Sequence, residues 1–177
     1  MKQLLCYFFA LLALTSCNQR RGSGNIVSEN RQTGDFTGVS VGGAFTVEIR
    51  NGTGTEVKVE ADDNVINFIE TSVSGNTLKI RMKDGASFND AHYKVYITAA
   101  EINSVNSSGA ATVQVKDELK SKEKISLDVS GAAGIVASVN APEISAEISG
   151  AGNIELSGKT RDYTAEVSGS GHSSRVI

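Results

Sequence analysis

Two histidines, His92 and His172, and two cysteines, Cys6 and Cys17, narrow the nucleophilic and transition-metal chemistry open to this chain. His172 has no cysteine or second histidine near it, so the sequence predicts no transition-metal site. Carboxylates are more plentiful. Asp62-Asp63, Asp84, Asp90 with His92, and Asp117-Glu118 each sit in a polar stretch that reads as a turn or loop. Polysaccharide hydrolysis needs two carboxylates in different environments, and a lyase site of the calcium type needs carboxylates beside a base. Asp90-x-His92 is the one carboxylate–imidazole neighbour pair, and as a loop dipeptide it reads first as a solvated turn. No serine, histidine and aspartate fall into a nucleophilic arrangement. The sequence therefore predicts no catalytic residue, no metal and no cofactor.

A second set of acidic residues, Asp128, Glu147 and Glu166, recurs at equivalent places in a repeat. Ile125 to Gly134, Ile144 to Gly152 and Tyr163 to Gly171 share one pattern, and their Ser-Gly steps at Ser130, Ser149 and Ser168 are 19 residues apart. A looser copy, Ser107-Ser-Gly-Ala-Ala111, lies 22 residues earlier. Ahead of each glycine, apolar residues alternate with polar ones, as in Ile125, Leu127 and Val129, which is the period of a strand with one buried face. The alternation resumes after the glycine at offsets of four and six: Val113 and Val115, Ile135 and Ala137, Ile154 and Leu156. The segment Val39 to Ile49 has the same pattern around Gly43. One repeat is thus two short strands and two turns. A unit that small cannot bury its apolar face alone, and parallel stacking of successive units would bury it. The expectation is an all-β chain of the parallel β-helix or β-solenoid type, with Ser-Gly turns joining the sheets. Gly43, Gly109, Gly131, Gly150 and Gly169 are its structural turn positions. A phosphate-binding reading of Ser-Gly-Ala-Gly fails because a strand pattern, Asn-Ile-Glu-Leu, follows where a helix is needed. Asp128, Glu147 and Glu166 would face outward as a mostly solvated row.

Ahead of the repeats, Val57 to Ala61 reads as a strand and Val65 to Glu70 as a short helical turn. Thr71 to Met82 reads as a hairpin around Gly75-Asn76, giving an N-terminal hairpin or cap. Tyr93, Val95 and Ile97 begin a further strand.

Residues 1–16 are predicted to be a signal peptide. Lys2 precedes an apolar core from Leu4 to Leu14 that is too short to span a membrane. Leu14-Thr15-Ser16-Cys17 matches the lipobox of bacterial lipoproteins, which implies cleavage before Cys17 and lipid attachment to it. Residues 17–23 read as a tether, and residues 24–177 as one domain. With the signal removed the domain holds no disulfide. Loss of Lys2 from 17 basic residues leaves 16 against 20 acidic ones. No basic stripe appears, so nucleic acid is not a predicted partner.

Gly24-Asn-Ile-Val-Ser-Glu-Asn-Arg31, the Val-x-Val-Gly-Gly-x-Phe-x-Val-x-Ile segment from Val39, Val73-Ser-Gly-Asn-Thr-Leu-Lys-Ile80 and the serial Ser-Gly-x-Gly turns occur in that order. Together they resemble the head GIN domain of auto-transporter adhesins, lipoproteins and secreted proteins of Gram-negative bacteria. The resemblance implies a pectin-lyase-like β-helix and supplies no catalytic residues. It implies an outer-membrane protein held by its lipid, on the surface or the periplasmic face, with a non-catalytic adhesin-like or scaffold role. The partner it implies, beyond the membrane itself, is a carbohydrate or protein ligand on the envelope or a host surface. The alternatives are a carbohydrate-active enzyme on a β-helix scaffold and a periplasmic structural lipoprotein.

Overall fold

Period-two alternation dominates the chain, and strands dominate the fold. The computed structural model describes residues 20–176; the signal segment 1–16 and Cys17 lie outside that range. The first strands are β1 (Arg20–Arg21), β2 (Ile26–Arg31), β3 (Gly38–Gly43), β4 (Thr46–Asn51) and β5 (Glu56–Asp62). A single 3-10 turn, Ile66–Phe68, stands where the sequence predicted a helical turn. It leads into β6 (Ile69–Ser74) and β7 (Thr77–Met82), followed by β8 (Phe88–Asn89) and β9 (Tyr93–Ala99). The repeats supply β10 (Ser104–Gly109), β11 (Thr112–Lys120), β12 (Lys124–Gly131), β13 (Gly134–Asn140), β14 (Glu143–Gly150), β15 (Asn153–Lys159), β16 (Asp162–Gly169) and β17 (His172–Val176).

From β10 onward, successive strands alternate between two sheets. One has the order β16-β14-β12-β10-β3-β7-β6 and the other β17-β15-β13-β11-β4-β9-β5-β2. All pairings from β7 to β16 and from β9 to β17 are parallel. Equivalent residues of the repeats are register partners, so side chains form rows. Leu78, Val39, Val105, Leu127, Ala146 and Ala165 make one inward row. Val95, Val47, Val113, Ile135 and Ile154 make one on the facing sheet. All but Ala165 are buried, and burying a Val or Leu side chain stabilises by about 1.5–3 kcal/mol. Two inward rows of this facing sheet end in polar residues. Ser173 pairs with Ile154, and Arg175 with Leu156. The Ser173 and Tyr163 hydroxyls lie 2.7 Å apart, and the Arg175 guanidinium is 4.7 Å from the Tyr163 ring centre.

The sheets are mixed, because their other ends are antiparallel. β6 pairs with β7 through the two-residue loop Gly75-Asn76, with Gly75 at φ +60°. Positive φ at the first loop residue is the requirement of a type II′ hairpin turn. β5 runs antiparallel to both β9 and β2. Spatial order also departs from chain order: β3 and β4 lie between the later β7 and β9 on one side and β10 and β11 on the other.

The 22-residue spacing from Gly109 to Gly131 has a local cause. Gln114 pairs with Val136 but Glu118 with Ser138, so β11 takes four steps where β13 takes two. Lys120 pairs with Asn140, and four steps then lead to Lys124 where three lead to its partner Glu143. A bulge therefore absorbs two of the three extra residues, and the next connection absorbs the third. The Asn51 backbone N–H donates to Asp117 Oδ2 (2.9 Å), and its side-chain amide donates to the Glu118 carbonyl (2.8 Å). The same bulge leaves Val115, expected from its offset to be a core position, only half-buried.

Gly43, Gly109, Gly131, Gly150 and Gly169 are register partners in a single row. Gly131 has φ +78° and Gly150 φ +118°. A Cβ on Gly131 would lie 2.8 Å from the Gly109 carbonyl oxygen, and one on Gly150 2.7 Å from that of Gly131. Both conformation and space thus demand glycine there. Gly43 differs, since a Cβ there would meet only the Phe45 ring, at 3.4 Å. Gly150→Val is therefore expected to destabilise by at least the ~1–3 kcal/mol of a strained backbone, and Gly43→Val by less than Gly150→Val. Exposed Glu147→Ala should stay within about 0.5 kcal/mol. Denaturant melts of the three variants check this, and a Gly150→Val midpoint equal to the parent's would refute it.

Candidate functional site: outward rows and a clamped N-terminal segment

The same register that buries apolar rows lines up polar side chains outside. Asn106, Asp128, Glu147 and Glu166 are successive partners on the seven-stranded sheet. Strands in a sheet lie about 4.8 Å apart, so the carboxylates crowd one another. Burial pushes the Asp128 carboxyl above the ordinary carboxylate range, the Glu147 charge pushes it further, and Lys124 opposes them. Lys124 is in turn 3.2 Å from Glu143, its register partner on β14. On the eight-stranded sheet the outer surface is ion-paired. The Lys94 ammonium lies 2.8 Å from Glu48, and its hydrogen bond is the main cause holding the Glu48 carboxyl below its ordinary range. Lys58 and Lys94 also approach the Tyr96 ring, at 4.5 and 4.8 Å from its centre.

The carboxylates singled out in the sequence are dispersed, and most serve the fold. Asp84 accepts from Arg81 (2.7 Å). The His92 ring lies against Glu60 (3.1 Å) rather than pairing with Asp90, the one described non-glycine residue with positive φ, at +48°. Asp117 holds the β11 bulge, and Glu118 lies 3.4 Å from Lys120. Among the described residues, no three histidine, cysteine, aspartate or glutamate side chains are grouped so as to hold a metal ion. A cleft of about 760 Å³ runs between the edge strands β2 and β6, lined by Asn30, Gln32, Asn67, Thr71, Ser72 and the charged Arg31, Glu70, Arg81 and Lys83. Arg81 is already paired with Glu70 and Asp84, and Arg31 with Glu29.

Asp62 and Asp63 have an unexpected task. Asp62 is 1% exposed at the end of β5, and its carboxylate accepts the backbone N–H groups of Gly24 (2.6 Å) and His92 (2.7 Å). The His92 bond, with Gly24's in support, holds this carboxyl below its ordinary range despite burial. Asp63 accepts from the Ser23 hydroxyl (2.6 Å) and the Asn25 amide (2.9 Å). Asn64 donates to the Arg21 carbonyl (2.8 Å) and accepts from the Ser23 N–H (3.1 Å). β1 pairs in parallel with β8, Arg20 opposite Phe88 and Arg21 opposite Asn89. Residues 20–23, which the sequence reading assigned to a tether, therefore lie against the body. The sequence signal for this was the adjacent Asp62-Asp63-Asn64, three side chains that readily accept or bridge backbone groups.

Of the residues named from sequence, Cys17 lies outside the described range, and the five turn glycines form the row described above. Gly152 and Gly158 were not singled out and are as tightly placed: a Cβ would press on the Ala133 and Val139 carbonyls respectively. Gly152 has a signal in the Ser-Gly-x-Gly turn, which recurs at Gly171; Gly158 has none, because its register partner is Val139.

The Asp128 carboxyl gives a pH test. An aspartate whose folded pKa is raised destabilises the fold while ionised, and that cost disappears as pH falls through the raised value. Asp128→Asn should therefore be more stable than the parent at pH 7, by the ~0.2–1 kcal/mol of a cross-strand charge pair. The gain should vanish by about pH 3.9, the ordinary aspartate value. Thermal melts across that range measure it, and a variant less stable than the parent at pH 7 would contradict it.

Residues 35–174 match the family described as "Putative auto-transporter adhesin, head GIN domain". Among solved structures, the fold is similar to a putative adhesin from Parabacteroides merdae ATCC 43184, with 16% identity, TM-score 0.57, and coverage of 90% of this chain and 99% of that one. A putative lipid binding protein from Parabacteroides distasonis ATCC 8503 gives 15% identity, TM-score 0.58 and coverage of 90% and 100%. A putative adhesin from Bacteroides fragilis NCTC 9343 gives 14%, 0.56, and 88% and 99%. No curated protein matches the sequence. The structural neighbours share the fold; the match over residues 35–174 carries the relationship, and by it this chain belongs to the auto-transporter adhesin head GIN domain family.

Proposed function

We propose that this protein is a lipid-anchored component of the outer membrane with a non-catalytic role, binding or scaffolding a carbohydrate or protein ligand on the envelope as an adhesin-like module. Its parallel strand pairs are read as a β-solenoid closed at one end by the antiparallel strands β2, β5 and β6. The observation that carries the binding role is the register. Equivalent outward residues recur one strand apart, as Asp128, Glu147 and Glu166 do. A surface of that kind offers many weak, identical contacts, which suits multivalent attachment. Catalysis asks for two or three groups converging on one reacting atom, whereas Asp62, Asp63, Asp84, Asp117 and Glu118 lie apart, each engaged with backbone, a polar side chain, lysine or arginine. Family membership supports the binding role, and Leu14-Thr15-Ser16-Cys17 supports the anchor.

The anchor is tested by expressing the full chain and its Cys17→Ser variant in a Gram-negative host. Intact mass should show diacylglycerol and an acyl chain on the parent alone, and the variant should leave the membrane fraction. Equal masses and equal membrane partition would defeat the anchor. Protease added to living cells then separates the faces: digestion of the parent supports surface adhesion, and full protection supports a periplasmic scaffold.

A further inference from the structure

The clamped segment has a geometric consequence for a protein held by lipid at Cys17. Only Cys17 to Gln19 separate the anchor from β1. A chain advances at most ~3.6 Å per residue, so Cys17 lies within about 11 Å of Arg20 however those residues run. Arg20 itself is held: β1 pairs with β8, the Gly22 N–H donates to the Asn89 carbonyl (3.1 Å), and Asp62, Asp63 and Asn64 bind Gly24, Ser23 and Arg21. A Cβ on Gly22 would lie 2.8 Å from both Asp62 Oδ2 and the Asp90 carbonyl, so the segment packs closely against the body. Its first side chain is engaged too. The Arg20 guanidinium lies 5.2 Å from the centre of the Phe68 ring, which lies 5.2 Å from that of Phe88.

We infer that the face built from β1, the loop from Lys83 to His92 and the 3-10 turn rests on the phosphate-bearing headgroup layer that holds the anchor, and that the clamp fixes the protein's orientation there. This inference rests on lipidation at Cys17. A long flexible tether would let the domain tumble; a span of about 11 Å, little more than two strand spacings, restricts it. Arg20, Arg21 and Lys83 are exposed on this face beside the acidic Asp84 and Asp90, and the three cationic side chains are the groups that a membrane's phosphates would draw. The opposite end of the molecule is carried away from the point of entry. Five strand pairings separate β7 from β16 and β9 from β17, about 24 Å at ~4.8 Å each. The outward rows of the repeats then stand clear of the headgroups and free to meet a ligand.

The chain contains no tryptophan, so one introduced tryptophan is a unique fluorescent reporter. Ser87 in the loop and Thr164 on β16 are both exposed. The full chain carrying Ser87→Trp or Thr164→Trp is extracted from host membranes, weighed intact, and reconstituted into phosphatidylethanolamine–phosphatidylglycerol vesicles. These also carry phosphatidylcholine with a nitroxide on its headgroup. The expected result is an acylated protein whose Ser87→Trp emission is quenched several-fold more than that of Thr164→Trp. Adding Asp63→Ala and Asn64→Ala, both exposed positions, should shrink that difference while circular dichroism stays that of a folded β protein. A mass without acyl chains overturns the anchor and this orientation with it. An acylated protein with equal quenching at the two positions overturns the orientation alone. A difference that survives the double substitution undisturbed overturns the clamp as its cause.

Discussion

The contact on which the rest of this structure depends is the approach of one Ser-Gly turn to the next. Where β12 and β14 lie side by side, Gly150 sits on Gly131 with no room for a Cβ between its backbone and the facing carbonyl. That contact sets the register, and register does everything else. A slip of one residue would turn Ile144, Ala146 and Ile148 outward and send Ser145 and Glu147 into the core. The backbone hydrogen bonds beside the turns, such as Ala151 N–H to the Gly131 carbonyl (2.8 Å), repeat with the glycines and lock the same alignment.

Rows are the consequence, and rows behave differently from pockets. An inward row of Val105, Leu127 and Ala146 contributes to stability strand by strand, each pair depending on its neighbours. An outward row brings like charges together, and Asp128 bears the cost because it is the most buried of its three. Where a row would place an apolar residue at the last strand, Ser173 and Arg175 stand instead and engage Tyr163. The polar substitutes reduce the exposed apolar edge that stacked strands present to other chains.

The opposite end is organised by side chains rather than by repetition. Asp62 is buried, yet its charge is met by two backbone N–H groups at 2.6 and 2.7 Å, which offset the loss of water around the carboxylate. Through them a single residue joins three parts of the chain: the N-terminal segment at Gly24, β5, and the loop entering β9 at His92. Stability there is therefore pH-sensitive in the direction opposite to Asp128. The contribution of Asp62 is complete above the ordinary aspartate range and is lost as pH falls through its depressed value.

The sequence by itself determined the strands of the repeats, the turn glycines, the hairpin at Gly75-Asn76, the facing of Ile125, Leu127 and Val129, and the family. Each is encoded within a few residues: a period of two, a glycine needing positive φ, a repeat of 19. It also carried the resemblance that the match over residues 35–174 establishes. Only the tertiary structure decided what lies between distant segments. It inserted β3 and β4 between strands that follow them in the chain, added the antiparallel pairings of β2 and β5, and left Val115 half-buried at a bulge held by Asn51. It also turned Asp62 and Asp63 from candidate acids into the clamp on residues 21–25. The physical reason is common to all of these. Periodicity reports which face of a strand meets a core, but a buried carboxylate or an antiparallel neighbour is chosen by partners some 40 residues away, whose approach leaves no pattern in the local sequence.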